Sequence, residues 1–276
     1  MAIRDLKNAK RMKAKFERML RENEPKIAEA VNEWFDLTYE EMRLSLGRME
    51  GTDAYSMTDR LVDWDMIMEE GNLILRKPLL DILAVGGKSI VERRIQKQDR
   101  FDIIGVEAIQ WATEHSAELV VEITTQTMKG IREFITAGVN AGKSIQTIAK
   151  ELRGIVGLTE RMAMWVVDFQ DKLMFDPEFA GLSALQRKAM IDKYAKKLHR
   201  YRTDMIARTE TADALNEGIR QGFKQIGIGE LMRVEDGDSP DEPCRVNNGR
   251  IYTVEEAQGV LPEHPNCEGT WVAAGV

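Results

Sequence analysis

Along most of this chain apolar residues recur every three to four positions, the spacing that predicts helix. Between residues 4 and 47, Ile27, Val31, Trp34, Phe35 and Leu37 follow that period, with an interruption or bend expected at Pro25. The polar residues 52–58, behind Gly47 and Gly51, read as a loop. A second helical stretch is expected over 59–84, broken at Gly71 and Pro78 and ended by Gly86-Gly87, with a short helix at 89–97. Trp111, Leu119, Val120, Ile123, Met128, Ile131 and Phe134 mark a long amphipathic helix over 103–137. His115 lies on it with no cysteine or second histidine beside it, so packing or solvent contact is its expected role. Ser144 and Thr159 are placed to cap helices over 145–153 and 160–174, and Asp176-Pro177 breaks the chain before a last long helix over 184–226.

After Gly227 and Gly229 the pattern shortens. Residues 231–234, 250–253 and 270–273 read as strands, and 254–258 as a helical turn capped by Thr253. A segment this small buries little by itself and needs docking onto the helices, a metal, or both. The expected fold is therefore mainly α: an elongated helical body with a small C-terminal α+β module, for which zinc is one candidate stabiliser. Three segments follow from this reading: an N-terminal helical region over 1–100 as a partner-binding arm, a helical core over 101–229, and the module over 230–276.

Charge changes the picture more than composition does. The chain of 276 residues has a net charge of −7, which argues against indiscriminate nucleic-acid binding by its whole surface. Residues 231–276 hold nine acidic and three basic residues, so almost all of the excess lies there. By contrast the first 21 residues carry eight Lys or Arg against Asp5 and Glu17, and 187–208 carry eight against Asp192 and Asp204. Lys188, Lys193, Lys196, Lys197 and Arg200 are the candidate contacts of that second strip with a partner or nucleic acid. Only Tyr194 and Tyr201 accompany them for stacking, and a solvated helix face is the plainer reading of both strips. Two cysteines, no secretory pattern and no long uncharged apolar run point to a soluble chain in a reducing compartment with no membrane partner.

Familiar catalytic patterns are missing. Gly-Lys-Ser at 142–144 lacks the upstream glycine and strand of a phosphate loop, and no HExxH, GxSxG or kinase-like set occurs, so neither catalysis nor a small-molecule substrate is expected. Both cysteines and one of the three histidines fall near the C-terminus: Asp241 and Cys244 are three apart, as are His264 and Cys267. Two thiolates, an imidazole and a carboxylate can hold zinc tetrahedrally. The same groups can form a metal-free polar knot, with the two cysteines packed together and His264 and Asp241 bonded to the turns. A reactive cysteine–histidine pair is disfavoured, because an active thiolate needs an electropositive site and this segment is acidic. Arg208 and Glu210 lie two apart on the last helix, where ion pairs that anchor the module are the expected role.

Several blocks carry a resemblance. Arg202-x5-Arg208-Thr-Glu-Thr-Ala-x-Ala-Leu-Asn216-x-Gly218 resembles the helix signature of the phage Mu F-like head morphogenesis family, the minor capsid proteins of tailed bacteriophages. Residues 236–244, Asn248-Gly249, 252–257 and His264-Pro-Asn-Cys267 resemble its terminal module, and 142–149, 157–161 and Lys193-Tyr194 its helical portion. The likeness covers about 105–276. Many members add a second cysteine after the first and continue His-Pro-Asn as Cys-Arg-Cys; this chain has Asn247 and Glu268-Gly269 instead, which weakens the zinc expectation. The resemblance implies a non-catalytic minor head protein acting in procapsid assembly beside the portal, scaffold or major capsid protein. It would reside in the virion, inside the head or at the portal vertex, and in the host cytoplasm during assembly, with packaged DNA as a further contact. Arg202, Arg208, Thr209 and Glu210 would dock the module, and Asp241, Cys244, His264 and Cys267 would fix its fold. The alternative is a zinc-dependent hydrolase or nuclease-like factor delivered with the genome, with Glu263 or Glu268 as general base.

Overall fold

The computed structural model describes residues 3–47, 62–91, 101, 105–235 and 242–275. Among them the chain is mainly helical, with one small antiparallel sheet near the C-terminus. The helices are α1 (Ile3–Gly47), α2 (Trp64–Val91), α3 (Val106–Asn140), α4 (Ile145–Glu151), α5 (Glu160–Phe175), α6 (Ala184–Gln225) and the short α7 (Glu242–Asn247). The strands β1 (Glu230–Val234), β2 (Ile251–Thr253) and β3 (Thr270–Ala273) pair in the order β2-β1-β3, with Met232 opposite Ile251 on one side and Val272 on the other. The loop expected at 52–58 and most of the helix expected at 89–97 lie outside the described residues.

The interruptions expected within α1 and α2 do not occur. Helix α1 runs through Pro25, and α2 runs through Gly71, Pro78, Gly86 and Gly87. An internal proline costs a helix about 3 kcal/mol. Near Pro25 the buried Phe16, Leu20 and Ile27, and near Pro78 the buried Leu75, Leu79, Ile82 and Leu83, offset it at about 1.5–3 kcal/mol for each large side chain. The glycines serve packing. A methyl group on Gly86 would collide with the carbonyl oxygen of Leu215, and one on Gly218 with that of Leu83, so α2 and α6 touch backbone to backbone. Gly71 faces the Trp34 indole in the same manner.

Two caps stand where the sequence places them. Ser144 accepts from the Thr147 amide at the start of α4, and Thr159 from the Met162 amide at the start of α5. Residues 254–260 form hydrogen-bonded turns, the Ala257 amide donating to the Thr253 carbonyl as in a single helical turn, and Thr253 caps them: its hydroxyl accepts from the Glu256 amide and Glu256 accepts from the Thr253 amide.

The chain groups into two compact units. The first comprises Met1–Ala30, Leu75–Ser116 and Asp204–Val276, the second Val31–Ile74 and Ala117–Thr203, so segments from the N-terminal 100 residues and from the helical core fall in each. In the first unit Leu83, Val91, Phe101 and Ala108 form a buried cluster with Leu80, Trp111 and Ile226 against it. Its sheet buries Leu231, Val234, Trp271 and Val272, with Tyr252 edge-on to Trp271 at 5.5 Å. In the second unit Trp34 and Phe35 stack at 6.0 Å, and the Trp34 indole N–H donates to the Ile67 carbonyl at 2.9 Å.

Candidate metal centre

Strand β1, helix α7 and the turn at 264–267 bring three donors together. Cys244 Sγ lies 2.8 Å from His264 Nε2 and 3.9 Å from Cys267 Sγ, and the three donor atoms are all within 4.8 Å of one another. Both cysteines are buried and reduced, and His264 is half-buried. Cys244 stands on α7, where the sequence reading has a tight knuckle. Asp241, the fourth expected donor, lies outside the described residues. His264 Nδ1 sits 2.9 Å from the Pro265 carbonyl oxygen, an acceptor only, so Nδ1 carries the proton. The opposite nitrogen, Nε2, therefore presents its lone pair to Cys244, and the Cys244 thiol donates to it.

Buried charge surrounds the cluster. Arg233, fully buried on β1, donates to Glu235 at 2.7 Å and to Cys244 Sγ at 3.4 Å, and pairs with Glu263 at 2.6 Å. Glu235 Oε1 in turn faces Cys267 Sγ at 3.9 Å. Burial pushes the Cys244 thiol up to about 12, with Cys267 and Glu235 adding to the rise. The cluster can hold a metal ion: tetrahedral zinc spreads two thiolates to about 3.8 Å, close to the separation here. It would also have to part the Cys244–His264 hydrogen bond. Gly269 lies against Glu235, and a methyl group there would strike the carboxylate.

One face of α6 holds the module. Thr209 Oγ1 accepts from the Asn266 amide at 3.1 Å, Asn216 Nδ2 donates to the Gly269 carbonyl at 2.9 Å, and Arg220 donates to the Val254 carbonyl at 3.3 Å. These residues recur at steps of seven and four along the helix, which sets them on one side. Arg208 pairs with Glu268 at 3.1 Å and with Glu24 at 3.5 Å. Lys13, in the basic N-terminal strip, is buried and donates to the Glu268 carbonyl at 2.9 Å. Arg208 and Thr209 thus reach the module, whereas Arg202 and Glu210 make their contacts elsewhere. Arg202 belongs to the second unit and donates to Gln126 at 2.9 Å; burial lowers its pKa to about 10. Glu210 Oε2 lies 2.6 Å from His115 Nε2, with Asp213 Oδ2 3.6 Å from the same nitrogen.

Sequence reasoning missed Asn216, Arg220, Lys13, Arg233 and Glu235. The seven-and-four spacing of Thr209, Asn216 and Arg220 along one side of α6 was a readable signal for the first two. In the second unit Lys188, Lys193, Lys196, Lys197 and Arg200 are all exposed, with Lys188 paired to Asp192 at 2.8 Å. Among the described residues no helix is long and apolar enough to cross a membrane. Comparison with protein-family models, with curated proteins and with solved structures finds no match.

Proposed function

We propose that the protein is a minor head protein of a tailed bacteriophage or prophage, acting without catalysis in procapsid assembly and associated with the portal. One observation carries this reading: the two blocks of sequence that resemble the Mu F-like family meet in space. Thr209 and Asn216, in the helix signature, bond Asn266 and Gly269, in and just after the His-Pro-Asn-Cys turn. Arg208 of the signature pairs with Glu268, beside that turn. Such a pairing suits a docked module better than a cleft, since these polar groups are committed to one another and to backbone.

Within this reading Cys244, His264 and Cys267 hold a structural zinc ion. When bound, the metal supplies folding free energy to a module too small to build a large core. With Nδ1 of His264 protonated against the Pro265 carbonyl, the ligand atom would be Nε2, whose lone pair now accepts from Cys244. The exposed cations at 188–200 face outward as contacts for portal, scaffold or major capsid protein, or for packaged DNA. The protein then resides in the virion and, during assembly, in the host cytoplasm.

The test is expression of the head-gene cluster with this chain tagged, followed by purification of procapsids on a density gradient. The reading predicts a few copies of the chain in procapsids and defective heads when it is deleted. Complete heads without the chain, with the tagged protein confined to the soluble fraction, would overturn it.

A further inference from the structure

A second cluster of side chains of metal-ligating type lies apart from the cysteines and was invisible in the sequence. His115 stands on α3, and Glu210 and Asp213 stand three residues apart on one face of α6. Their donor atoms converge: His115 Nε2 is 2.6 Å from Glu210 Oε2 and 3.6 Å from Asp213 Oδ2. The imidazole is held in orientation by Trp111, whose ring stacks on it at 4.5 Å with an interplanar angle of 10°. None of the three is an ordinary surface charge. Their side chains are only 20%, 12% and 21% exposed, enough for an ion and its waters to enter but well short of full solvation.

A ring nitrogen can give one proton, and at 2.6 Å it is committed to Glu210. Asp213 Oδ2, at 3.6 Å, is beyond hydrogen-bond reach of that nitrogen. Burial raises the Asp213 carboxyl to about 7, with His115 opposing the rise and Glu210 and Glu217 adding to it, so a second negative charge in the cluster is held at a cost. A divalent ion satisfies all three groups at once and neutralises the two carboxylates. Ligands at about 2.1 Å from such an ion stand about 3.0–3.4 Å apart, so the two separations from His115 need change by only a few tenths of an ångström.

We propose that His115, Glu210 and Asp213 form a second cation site, for a divalent first-row transition ion. The imidazole favours such an ion over magnesium or calcium, which prefer all-oxygen shells, and the two carboxylates favour it over the softer ions that a thiolate pair selects. Three protein ligands leave the remaining coordination positions to water. The site stands independently of the capsid reading and of the cysteine cluster.

Manganese is the probe, because its preference for oxygen and nitrogen donors separates this site from the cysteines. Titration of the full chain with Mn2+, followed by loss of the free-ion electron paramagnetic resonance signal, should show one ion bound per chain. Asp213→Asn should weaken binding by about tenfold or more, while Cys267→Ser should leave it unchanged. The histidines give a second readout that needs no variant: of three imidazoles in the chain, His115 should broaden first in nuclear magnetic resonance spectra as Mn2+ is added. Absence of binding at millimolar Mn2+, unchanged affinity in folded Asp213→Asn, or broadening that begins at His264 or His199 would each overturn the proposal.

Discussion

The two compact units differ in the cations they bury. In the first, Lys13, Arg220 and Arg233 are buried and matched among other cations that are exposed. Arg220 bonds Glu217 and Glu107 at 2.6 Å, Arg233 bonds Glu235 at 2.7 Å, and Lys13 reaches the Glu268 carbonyl. In the second, Lys193, Lys196 and Lys197 are exposed on α6, and the buried Arg202 is the exception. Two strips that look alike as counts of lysine and arginine thus differ in part. The N-terminal strip sends Lys13 and Lys15 into the fold, Lys15 donating to the Ser89 carbonyl at 2.7 Å, and leaves Lys7, Lys10, Arg11, Arg18 and Arg21 exposed, whereas the lysines of the later strip are all exposed. Charge density in a sequence says little about partners until burial separates cations that hold the fold from those that meet something else.

The largest effect that can break this contrast is loss of a matched cation. Arg220→Met leaves Glu217 buried without its guanidinium, and the chain should lose about 3–5 kcal/mol in urea unfolding. A loss below about 1 kcal/mol, the level of exposed pairs, would mean that the first unit is no different from the second. Next come the glycines. Gly218→Ala forces α2 and α6 apart at Leu83 and should cost about 1–3 kcal/mol. Gly181→Ala in the second unit, where a methyl group meets open space, should stay within about 0.5 kcal/mol. Equal effects at the two positions would contradict the backbone-to-backbone packing.

A smaller effect distinguishes the units by pH. Burial lowers the pKa of His199, with Arg202 acting in the same direction and the Gly154 backbone bond and Asp36 opposing. The folded second unit therefore binds fewer protons there than the unfolded chain does. Its contribution to stability is present above about pH 6.5 and is lost as pH falls through the unfolded pKa toward the folded one. His199→Phe, which keeps the edge-on contact with Phe35, should flatten that acid-side slope in urea midpoints. A slope unchanged in the variant would assign it to other groups. Smallest of all, replacing Lys193, Lys196 and Lys197 together by alanine should change stability by less than about 0.5 kcal/mol, while reducing incorporation into heads. A large loss of stability would show that the outward strip is structural after all.

Helix placement was legible because long apolar periodicities such as Trp111 to Phe134 leave few alternatives, and because Ser144 and Thr159 are cap residues in cap positions. Helix interruptions were not. Pro78 and Gly86-Gly87 are local signals for a break, and the partner that overrides them, the Leu215 backbone, is distant in sequence. The site divided in the same way. Cys244, His264 and Cys267 were readable as a group because the cysteines are few and the spacing short. His115 looked solitary because its carboxylate partner Glu210 is 95 positions away. Arg208 and Thr209 were legible as docking residues through a family resemblance, whereas Glu210 and Arg202 in the same signature turned to other contacts. A sequence block identifies which residues matter before it identifies what they touch.

Electron cryo-microscopy of the portal vertex of assembled heads tests the proposed role as a structural component of a phage head with the terminal module clasped onto α6. The expected result is density for the helical chain against the portal, with the module seated on Thr209, Asn216 and Arg220 and the lysines of 188–197 toward a neighbouring subunit or DNA. A portal vertex complete in every other component and lacking this chain would contradict it.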